Sequence, residues 1–151
     1  MVFSEGTDMN AWKYAGDWTE EDLTNGNYAG FIYMFHFPET GQVYYGSKQI
    51  YKRVKTYKKI KPTSIENDWH DYSSSSTTVN KLIDDGTEYE RTILWAFPTM
   101  NETLLAELSL IVCEGLHPNS LNYAVMHKCK LPSINERQRI FNIMQEIRSW
   151  L

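Results

Sequence analysis

Residues 29–46, AGFIYMFHFPETGQVYYG, decide the fold of this chain. The first nine residues are dense in aromatic side chains, which favour extended strands, and the run stops at Pro38. Pro38 and Gly41 are turn residues, and residues 42–45 resume a strand pattern behind them. The sequence therefore predicts a β-hairpin with strands at 29–37 and 42–45.

Helical and loop signals follow the hairpin. Ser47 is a candidate N-cap for a short helix over residues 48–57, whereas residues 62–76 have the composition of a loop. Residues 77–85 show a short amphipathic helical pattern that Gly86 closes as the C-cap. Helices and strands therefore alternate on a small scale along the chain.

A third strand and the clearest helix come next. Residues 89–97 predict a strand, and residues 101–114 predict a helix with Asn101 as its N-cap and Gly115 as its C-cap. The apolar residues of this helix share one stripe, which we expect to be buried: Leu104, Leu105, Leu108 and Ile111.

The last segment also carries a helix signal. Residues 132–136, PSINE, have the pattern of a capping box. Apolar residues follow on one helical face: Ile140, Met144, Ile147 and Leu151. Such a face usually packs on a core; dimerisation, or a DNA-facing role for three arginines of the segment, is the alternative. These arginines are Arg137, Arg139 and Arg148.

Length and composition limit the class of protein. The chain has 151 residues, of which 42% are hydrophobic, enough to fill the core of one compact domain. No apolar run is long enough to span a membrane, and the polar, acidic residues 1–14 do not resemble a signal peptide. Cys113 and Cys129 are expected to be buried free thiols in a reducing compartment. We therefore expect a cytoplasmic protein.

The charge is unevenly distributed. The net charge of −4 argues against nucleic acid as a partner, because proteins that bind it are usually basic. However, residues 40–65 carry seven cations and no acid, whereas residues 1–39 have a net charge of −6 and residues 66–127 of −8. A cationic stretch of this kind predicts a positive patch, although a merely solvated surface is the alternative.

Two tripeptides of the hairpin carry a family resemblance. Ile32 and Tyr33 follow Gly30-Phe31 on the first strand, and Tyr44-Tyr45-Gly46 lies on the second. The sequence resembles the GIY-YIG nuclease family, with Phe31 in place of the family residue before Ile-Tyr in the first tripeptide and Tyr45 in place of isoleucine in the second. Tyr33 and Tyr44 could then lie side by side on one sheet face.

The resemblance covers residues 28–126 and implies further site residues. It sets residues 1–27 apart as an N-terminal extension and residues 127–151 as a helical tail. The family's functional arginine is matched by Arg53 on a helix, with Lys48 as the alternative cation, and its metal-binding glutamate by Glu107. Asn122, 15 positions later, matches the family's asparagine.

The resemblance also implies a mechanism. Glu107 would hold Mg²⁺ or Mn²⁺, and Arg53 or Lys48 would bind the scissile phosphate. Tyr33 and Tyr44 would position or deprotonate the attacking water, and a base at neutral pH would need a neighbouring cation to lower its pKa. Asn122 would hold the glutamate or the backbone by hydrogen bonds. The residues expected to contact DNA are Lys52, Lys55, Lys58, Lys59, Lys61 and His70.

His70 belongs to a second element of likeness. Residues 69–76, WHDYSSSS, are similar to an element of phage-type members of the family, and His70 is the candidate for a family histidine whose expected position is Tyr57. The alternative metal set shows no usual zinc spacing and is disfavoured: Cys113, His117, His127 and Cys129.

The sequence therefore predicts an α/β (α+β) fold, a small three-stranded, mainly antiparallel sheet flanked by helices. The expected function is that of a Mg²⁺-dependent DNA endonuclease, homing-type or nicking, encoded by a phage and acting in the host cytoplasm. With no room for a separate specificity domain, it would rely on a homodimer, a partner protein or loosely specific cutting. The alternative is an inactive protein of this fold that binds nucleic acid or a host protein.

Overall fold

A four-stranded sheet forms the centre of the molecule. The computed structural model describes residues 10–123 and 133–151. The strands are β1 (Trp12–Tyr14), β2 (Gly30–Phe37), β3 (Gln42–Gln49) and β4 (Glu90–Phe97), in the spatial order β1-β4-β2-β3. β2 pairs antiparallel with both β3 and β4, whereas β1 is parallel to β4. The mixed α/β prediction is confirmed, with helices flanking the sheet.

The fourth strand is absent from the sequence prediction. β1 has only three residues, which is shorter than the four to eight that make a periodic strand signal. Trp12 nevertheless pairs with Arg91, and the following residues continue the parallel register. Part of the segment treated above as an N-terminal extension thus belongs to the sheet.

The hairpin is confirmed, and its second strand is longer than expected. Gly41 takes a left-handed φ of 74° in the turn, a conformation that glycine adopts without steric cost. β3 then continues to Gln49, because Lys48 and Gln49 pair with Phe31 and Gly30 of β2.

The predicted helix over residues 48–57 is therefore wrong. Its first residues belong to β3, and Arg53 has a φ of 62°, which no right-handed helix allows. Only a 3-10 turn, Tyr57–Lys59, forms in this region. The backbone instead pairs with distant segments, since the amide of Lys52 donates to Ile65 and that of Met100 to Lys55.

Four helices complete the described fold. They are α1 (Glu20–Leu23), α2 (Thr77–Asp84), α3 (Met100–Glu114) and α4 (Ile134–Ser149). The predicted helices at 77–85 and 101–114 are confirmed, but α3 begins one residue earlier, because the hydroxyl of Thr99 rather than Asn101 accepts from the amide of Glu102. At α4, Ser133 makes no side-chain cap hydrogen bond, so the capping box does not form.

α3 buries a face rotated from the predicted stripe. Leu105 and Ile111 are buried as expected, but Ala106 and Leu110 are buried in place of Leu104 and Leu108. Cys113 is exposed rather than buried, and Cys129 lies outside the described residues.

The two faces of the sheet have different coverings. The tyrosine face carries Phe31, Tyr33 and Phe35, which pack with Trp69 and with Val79 of α2. The helix face carries side chains that pack against α3 and α4, and they include Ile32, Tyr45 and Trp95.

The tail helix packs on the core, as its apolar face predicts. Ile140, Met144 and Ile147 are buried on the helix face, whereas Leu151 remains 43% exposed. Arg139 pairs with Glu102 of α3 at 2.6 Å, and Arg148 lies 3.7 Å from Glu114. Among the described residues, no helix has the length and apolarity needed to cross a membrane.

Candidate active site

The two tyrosines of the tripeptides share the tyrosine face. Tyr33 lies opposite Gly46 in the register, and Tyr44 lies opposite Phe35, so the tyrosines are diagonal neighbours. Their ring centroids are 6.5 Å apart, and the rings are inclined by 38°. Tyr33 is 1% exposed, whereas Tyr44 is only partly buried. The expectation that they lie on one face is confirmed, and Tyr44 is the more accessible of the two.

Gly46 in the second tripeptide has a steric reason. A Cβ atom built at this position would come inside contact distance of the Tyr33 hydroxyl and ring. The same test at Gly30 meets the sulfur of Met100 and the hydroxyl of Thr103, at the start of α3. Gly46 therefore leaves room for the Tyr33 ring on the sheet. Gly30 lets the start of α3 pack closely against β2.

A serine loop covers the tyrosines. The hydroxyl of Tyr33 donates to Ser74 Oγ at 3.4 Å, and Ser74 is itself buried with a φ of 87°. Asn80 of α2 holds this loop, because its amide donates to the carbonyls of Ser74 and Ser76 at 2.8 and 3.0 Å. Ser74 and Asn80 are absent from the predicted site, although the run of serines at 73–76 pointed to this loop.

Lys48 supplies a cation beside the two tyrosines. Its ammonium lies 4.0 Å from the centroid of the Tyr72 ring and 2.8 Å from the carboxylate of Asp68. Tyr72 in turn packs edge-on against Tyr33, with ring centroids 5.9 Å apart. The side chain of Lys48 is only 15% exposed, so its charge is held beside the tyrosines.

Arg53 lies elsewhere, on an exposed turn. It belongs to residues 50–61, here called the basic loop, which follows β3 and forms backbone hydrogen bonds with Pro98 and with Met100 at the start of α3. The predicted DNA-contacting lysines are all exposed in this loop: Lys52, Lys55, Lys58, Lys59 and Lys61. Within residues 10–123 and 133–151, none of these cations forms an ion pair. The structure thus joins Lys48 to the tyrosines and places Arg53 with the exposed lysines.

His70 lies in the loop that joins the basic loop to α2. Its ring stacks on Trp69 with centroids 3.7 Å apart, and its Nε2 is 3.1 Å from a carboxylate oxygen of Glu66. Glu66 also accepts from the indole of Trp69 at 3.0 Å. The imidazole is therefore held by its own loop and makes no described contact with Tyr33 or Tyr44.

Glu107 and Asn122 approach the site from the side of β3. Glu107 is 6% exposed on α3, which packs against β3, and its charge contributes to the raised pKa of Tyr44. Asn122 forms two hydrogen bonds to the backbone of Tyr45: its oxygen accepts from the amide at 2.9 Å, and its amide donates to the carbonyl at 2.8 Å. Asn122 thus fixes the strand immediately beside Tyr44.

The phenols stay protonated at neutral pH. Burial, reinforced by the neighbouring Tyr72, raises the pKa of Tyr33 well above its ordinary value. Burial also raises the pKa of Tyr44, which the hydroxyls of Ser74 and Ser75 only partly oppose. The neighbouring cation expected to lower one of these pKa values therefore does not do so, because burial raises the pKa of both tyrosines. The two side chains present neutral O–H groups.

Arg91, which is not among the predicted site residues, anchors the covering loop. It is 9% exposed, and its guanidinium donates to the carbonyls of Asn10 at 2.6 Å and of His70 and Tyr72 at 2.8 Å each. It also lies 4.4 Å from the centroid of Trp12. A lone arginine on a strand has no sequence signature of this role, since its partners are backbone atoms distant in sequence.

The next feature is the set of side chains that could hold a metal ion. The described residues contain no group of three His, Cys, Asp or Glu side chains that could hold one. Mg²⁺ commonly binds through one or two carboxylates and completes its shell with waters and substrate phosphates, so Glu107 alone fits this mode. Of the disfavoured zinc set, Cys113 is exposed, and His127 and Cys129 lie outside the described residues.

Comparison with known proteins agrees with this geometry. A protein-family model described as the GIY-YIG domain of the putative endonuclease segE matches residues 12–124, and thus includes β1. No curated protein and no solved structure matches the chain. The family match covers most of the chain and every strand of the sheet. The chain therefore belongs to the GIY-YIG nuclease family, and its domain is that of an endonuclease, a hydrolase of phosphodiester bonds.

Proposed function

We propose that this protein is a divalent-metal-dependent DNA endonuclease whose centre is formed by Tyr33, Tyr44, Lys48 and Glu107. The observation that carries the proposal is the convergence of a cation, two neutral phenols and the charge of a carboxylate around one edge of the tyrosine face. Hydrolysis of a phosphodiester needs these elements: charge compensation for the phosphate, hydrogen-bond donors and a site for a metal ion.

Each side chain has a role that follows from its placement. Lys48 compensates the phosphate charge once the exposed carboxylate of Asp68 gives way to it. Tyr44, partly exposed, donates its O–H to the attacking water or to a phosphate oxygen. Tyr33 is enclosed and positions Ser74 and Tyr44 through its hydroxyl and its ring.

Glu107 would hold the metal ion, Mg²⁺ or Mn²⁺, as a single carboxylate ligand. When bound, such an ion supplies Lewis-acid stabilisation of charge on the phosphoryl oxygens and the leaving group. Asn122 keeps β3 in place between Glu107 and the tyrosines through its two backbone hydrogen bonds. Neutral phenols suit the role of hydrogen-bond donors, because they donate hydrogen bonds without adding negative charge next to a phosphate.

The basic loop would bind the DNA backbone on either side of the scissile phosphate. Its lysines and Arg53 are exposed, and the loop joins the strand that carries Lys48. Contacts of this kind do not depend on the DNA sequence, and they weaken as salt rises. The logarithm of the binding constant falls against the logarithm of the salt concentration with a slope of about −0.9 for each phosphate neutralised. We expect loosely specific, salt-sensitive binding.

We also propose that the protein is a phage-encoded, homing-type or nicking enzyme that acts in the host cytoplasm. The likeness of residues 69–76 to phage-type members supports a phage origin. One chain holds one set of Tyr44, Lys48 and Glu107, which suits one cut at a time. A monomer would therefore nick, and a homodimer or a partner protein would be needed to cut both strands together.

The direct test is supercoiled plasmid incubated with the purified chain and Mg²⁺ or Mn²⁺. We expect relaxed and then linear product, with no product in excess EDTA. Glu107→Gln should lower the rate by at least about 100-fold, and Tyr44→Phe and Lys48→Gln by about tenfold or more. The matched control is Glu102→Gln, a carboxylate of the same helix outside the site, which should cut like the wild type.

Binding measured on the same samples separates the alternatives. An active wild type and an inactive Glu107→Gln that still binds a DNA duplex support the proposal. If the wild type, Glu107→Gln and Tyr44→Phe all bind DNA and none of them cuts it, the endonuclease proposal fails, and the chain is an inactive binding protein of this fold.

A further inference from the structure

A second aromatic cluster lies away from the proposed active site. It forms a cavity of about 360 Å³ between the segment 16–28, the end of β4 and the end of α4. Its aromatic lining consists of Trp18, Tyr28, Trp95 and Trp150. We call it the tryptophan pocket. No residue of the proposed catalytic set lines it.

The aromatic side chains form walls set at steep angles. The ring of Trp18 is nearly perpendicular to that of Trp95, at 73° with centroids 5.1 Å apart, and makes 66° with that of Tyr28 at 5.2 Å. Trp150 lies almost parallel to Trp95, with centroids 6.0 Å apart. The cavity is therefore lined by aromatic rings in several orientations, and aromatic faces attract cations.

The backbone makes room for the outer wall. Gly16 has a φ of 57°, and a Cβ atom there would lie 3.0 Å from the Trp150 ring. Gly16 thus allows both the turn and the close approach of the ring. Trp150 is 36% exposed and stands at the mouth of the pocket.

All charged residues of the lining are acidic: Asp17, Asp22 and Glu146. Within residues 10–123 and 133–151, the carboxylates of Asp17 and Glu146 form no hydrogen bond or ion pair. Asp22 accepts from the amide of Thr19 in the cap of α1, and its charge helps to raise the pKa of Tyr28. The acids belong to the negative segment at 1–39 and to α4, and the proposed nuclease function uses neither.

We propose that the tryptophan pocket binds an alkylammonium cation, a positive charge carried by a group with an apolar surface. Quaternary and methylated ammonium groups are recognised by aromatic boxes of this kind, and carboxylates add long-range attraction. The volume lies near the lower end of the range for ligand pockets, which suits a single cationic headgroup.

The test is calorimetric titration with choline and with 3,3-dimethylbutan-1-ol, its uncharged isostere. We expect saturable choline binding, with a Kd in the millimolar range or tighter, and at least about tenfold weaker binding of the alcohol. Trp150→Leu and Glu146→Gln should each weaken choline binding by about threefold to tenfold. Both positions lie at the end of α4, so the fold should persist, which circular dichroism checks.

Glu136→Gln is the matched control, because it removes a carboxylate of the same helix outside the pocket. It should bind choline within about twofold of the wild type. Equal binding of choline and its neutral isostere, wild-type affinity in both pocket variants, or no saturation would overturn the proposal. DNA cleavage does not enter this test, so its outcome is independent of the proposed nuclease function.

A second titration identifies the source of the cation. Nα-acetyl-Nε-trimethyllysine amide carries the same headgroup as choline on a lysine side chain. Preferential binding of the lysine derivative assigns the pocket to a modified side chain of a protein, whereas equal or preferential binding of choline assigns it to a small molecule. Failure of both cations to bind rejects the alkylammonium class.

Discussion

The molecule has two aromatic clusters that differ in the charge beside them. On the tyrosine face, Tyr33, Tyr44 and Tyr72 lie next to the ammonium of Lys48. In the tryptophan pocket, the rings lie among acidic residues and no base. Aromatic side chains supply rigid walls in both places, and the neighbouring charge decides which ligand those walls suit.

The clusters also differ in how they are supported. The tyrosine face is enclosed by a loop that hydrogen bonds fix at Ser74, Asn80 and Arg91. The tryptophan pocket has an exposed wall, Trp150, at the end of a helix. We therefore expect substitutions in the first cluster to cost folding free energy, and substitutions in the second to change binding with little effect on stability.

The largest expected effect comes from Arg91→Met, which keeps the apolar stem but removes the donors of three hydrogen bonds to backbone carbonyls. Hydrogen bonds from charged groups contribute more than neutral ones, so we expect the free energy of unfolding to fall by about 3 kcal/mol. Urea denaturation measures the loss. Lys13→Gln, which breaks an exposed pair with Glu90 on the neighbouring strand, should cost less than about 0.5 kcal/mol. Equal costs for both variants would contradict the proposed anchor.

Gly46→Ala should cost somewhat less. The added methyl group must displace the Tyr33 ring, which is enclosed by Tyr72 and Ser74, and overpacking of this kind costs about 2 kcal/mol. Plasmid cleavage should fall by more than about tenfold, because Tyr44 and Ser74 lose their positions. Choline binding should persist. Ser47→Ala on the same strand is the control. If Gly46→Ala lowers stability as little as Ser47→Ala does, the Tyr33 ring can move freely.

Local patterns predict most of this fold. The hairpin, β4, α2 and α3 follow from strand-forming aromatics, turn residues and caps close in sequence. The segments whose structure these patterns do not predict share a physical cause. β1 is a strand only because it pairs with β4, and residues 48–57 form strand and loop because their hydrogen bonds go to β2, Ile65 and Met100. Such long-range pairing leaves no periodic signal in the segment itself.

Part of the candidate site can also be predicted from the sequence. The tripeptides predict Tyr33 and Tyr44 as site residues, and the order of the motifs predicts Glu107 and Asn122. The choice between Arg53 and Lys48 depended on a helix that does not form, so the sequence could not place them. The tyrosine pKa values depend on the covering loop, whose enclosure of the phenols is a tertiary feature.

At alkaline pH we expect a smaller loss of stability, to which tyrosines on both faces of the sheet contribute. Burial and the charge of Glu114 raise the pKa of Tyr45 on the helix face to about 12, and burial raises that of Tyr33 on the tyrosine face. The unfolded chain therefore loses these protons first, near pH 10, so the associated stability is complete below about pH 10 and declines as pH rises towards 12. These two phenols should leave the urea midpoint of unfolding constant from about pH 8 to 9.5, and the midpoint should then fall.

Tyr45→Phe separates the contribution of the helix face. Without the phenol, the decline between about pH 10 and 12 should be shallower than in the wild type, while Tyr33 still contributes its part. Absorbance near 295 nm, which follows phenolate formation, measures the same titration directly. An unchanged pH slope in Tyr45→Phe would show that its hydroxyl titrates alike in the folded and unfolded chain.

The smallest expected effect is the coupling between the two clusters. Lys48 lies on the tyrosine face and Glu146 on α4, with no shared partner among the described residues. Changes at independent sites usually add within about 0.5 kcal/mol, so a double-mutant cycle of Lys48→Gln and Glu146→Gln should show no larger interaction in plasmid cleavage or in choline binding. A coupling above about 1 kcal/mol would require an element of the sheet or α3 with two arrangements that both sites bias. Since the strands between them are held together by backbone pairing on both sides of β2, additivity is the expected result.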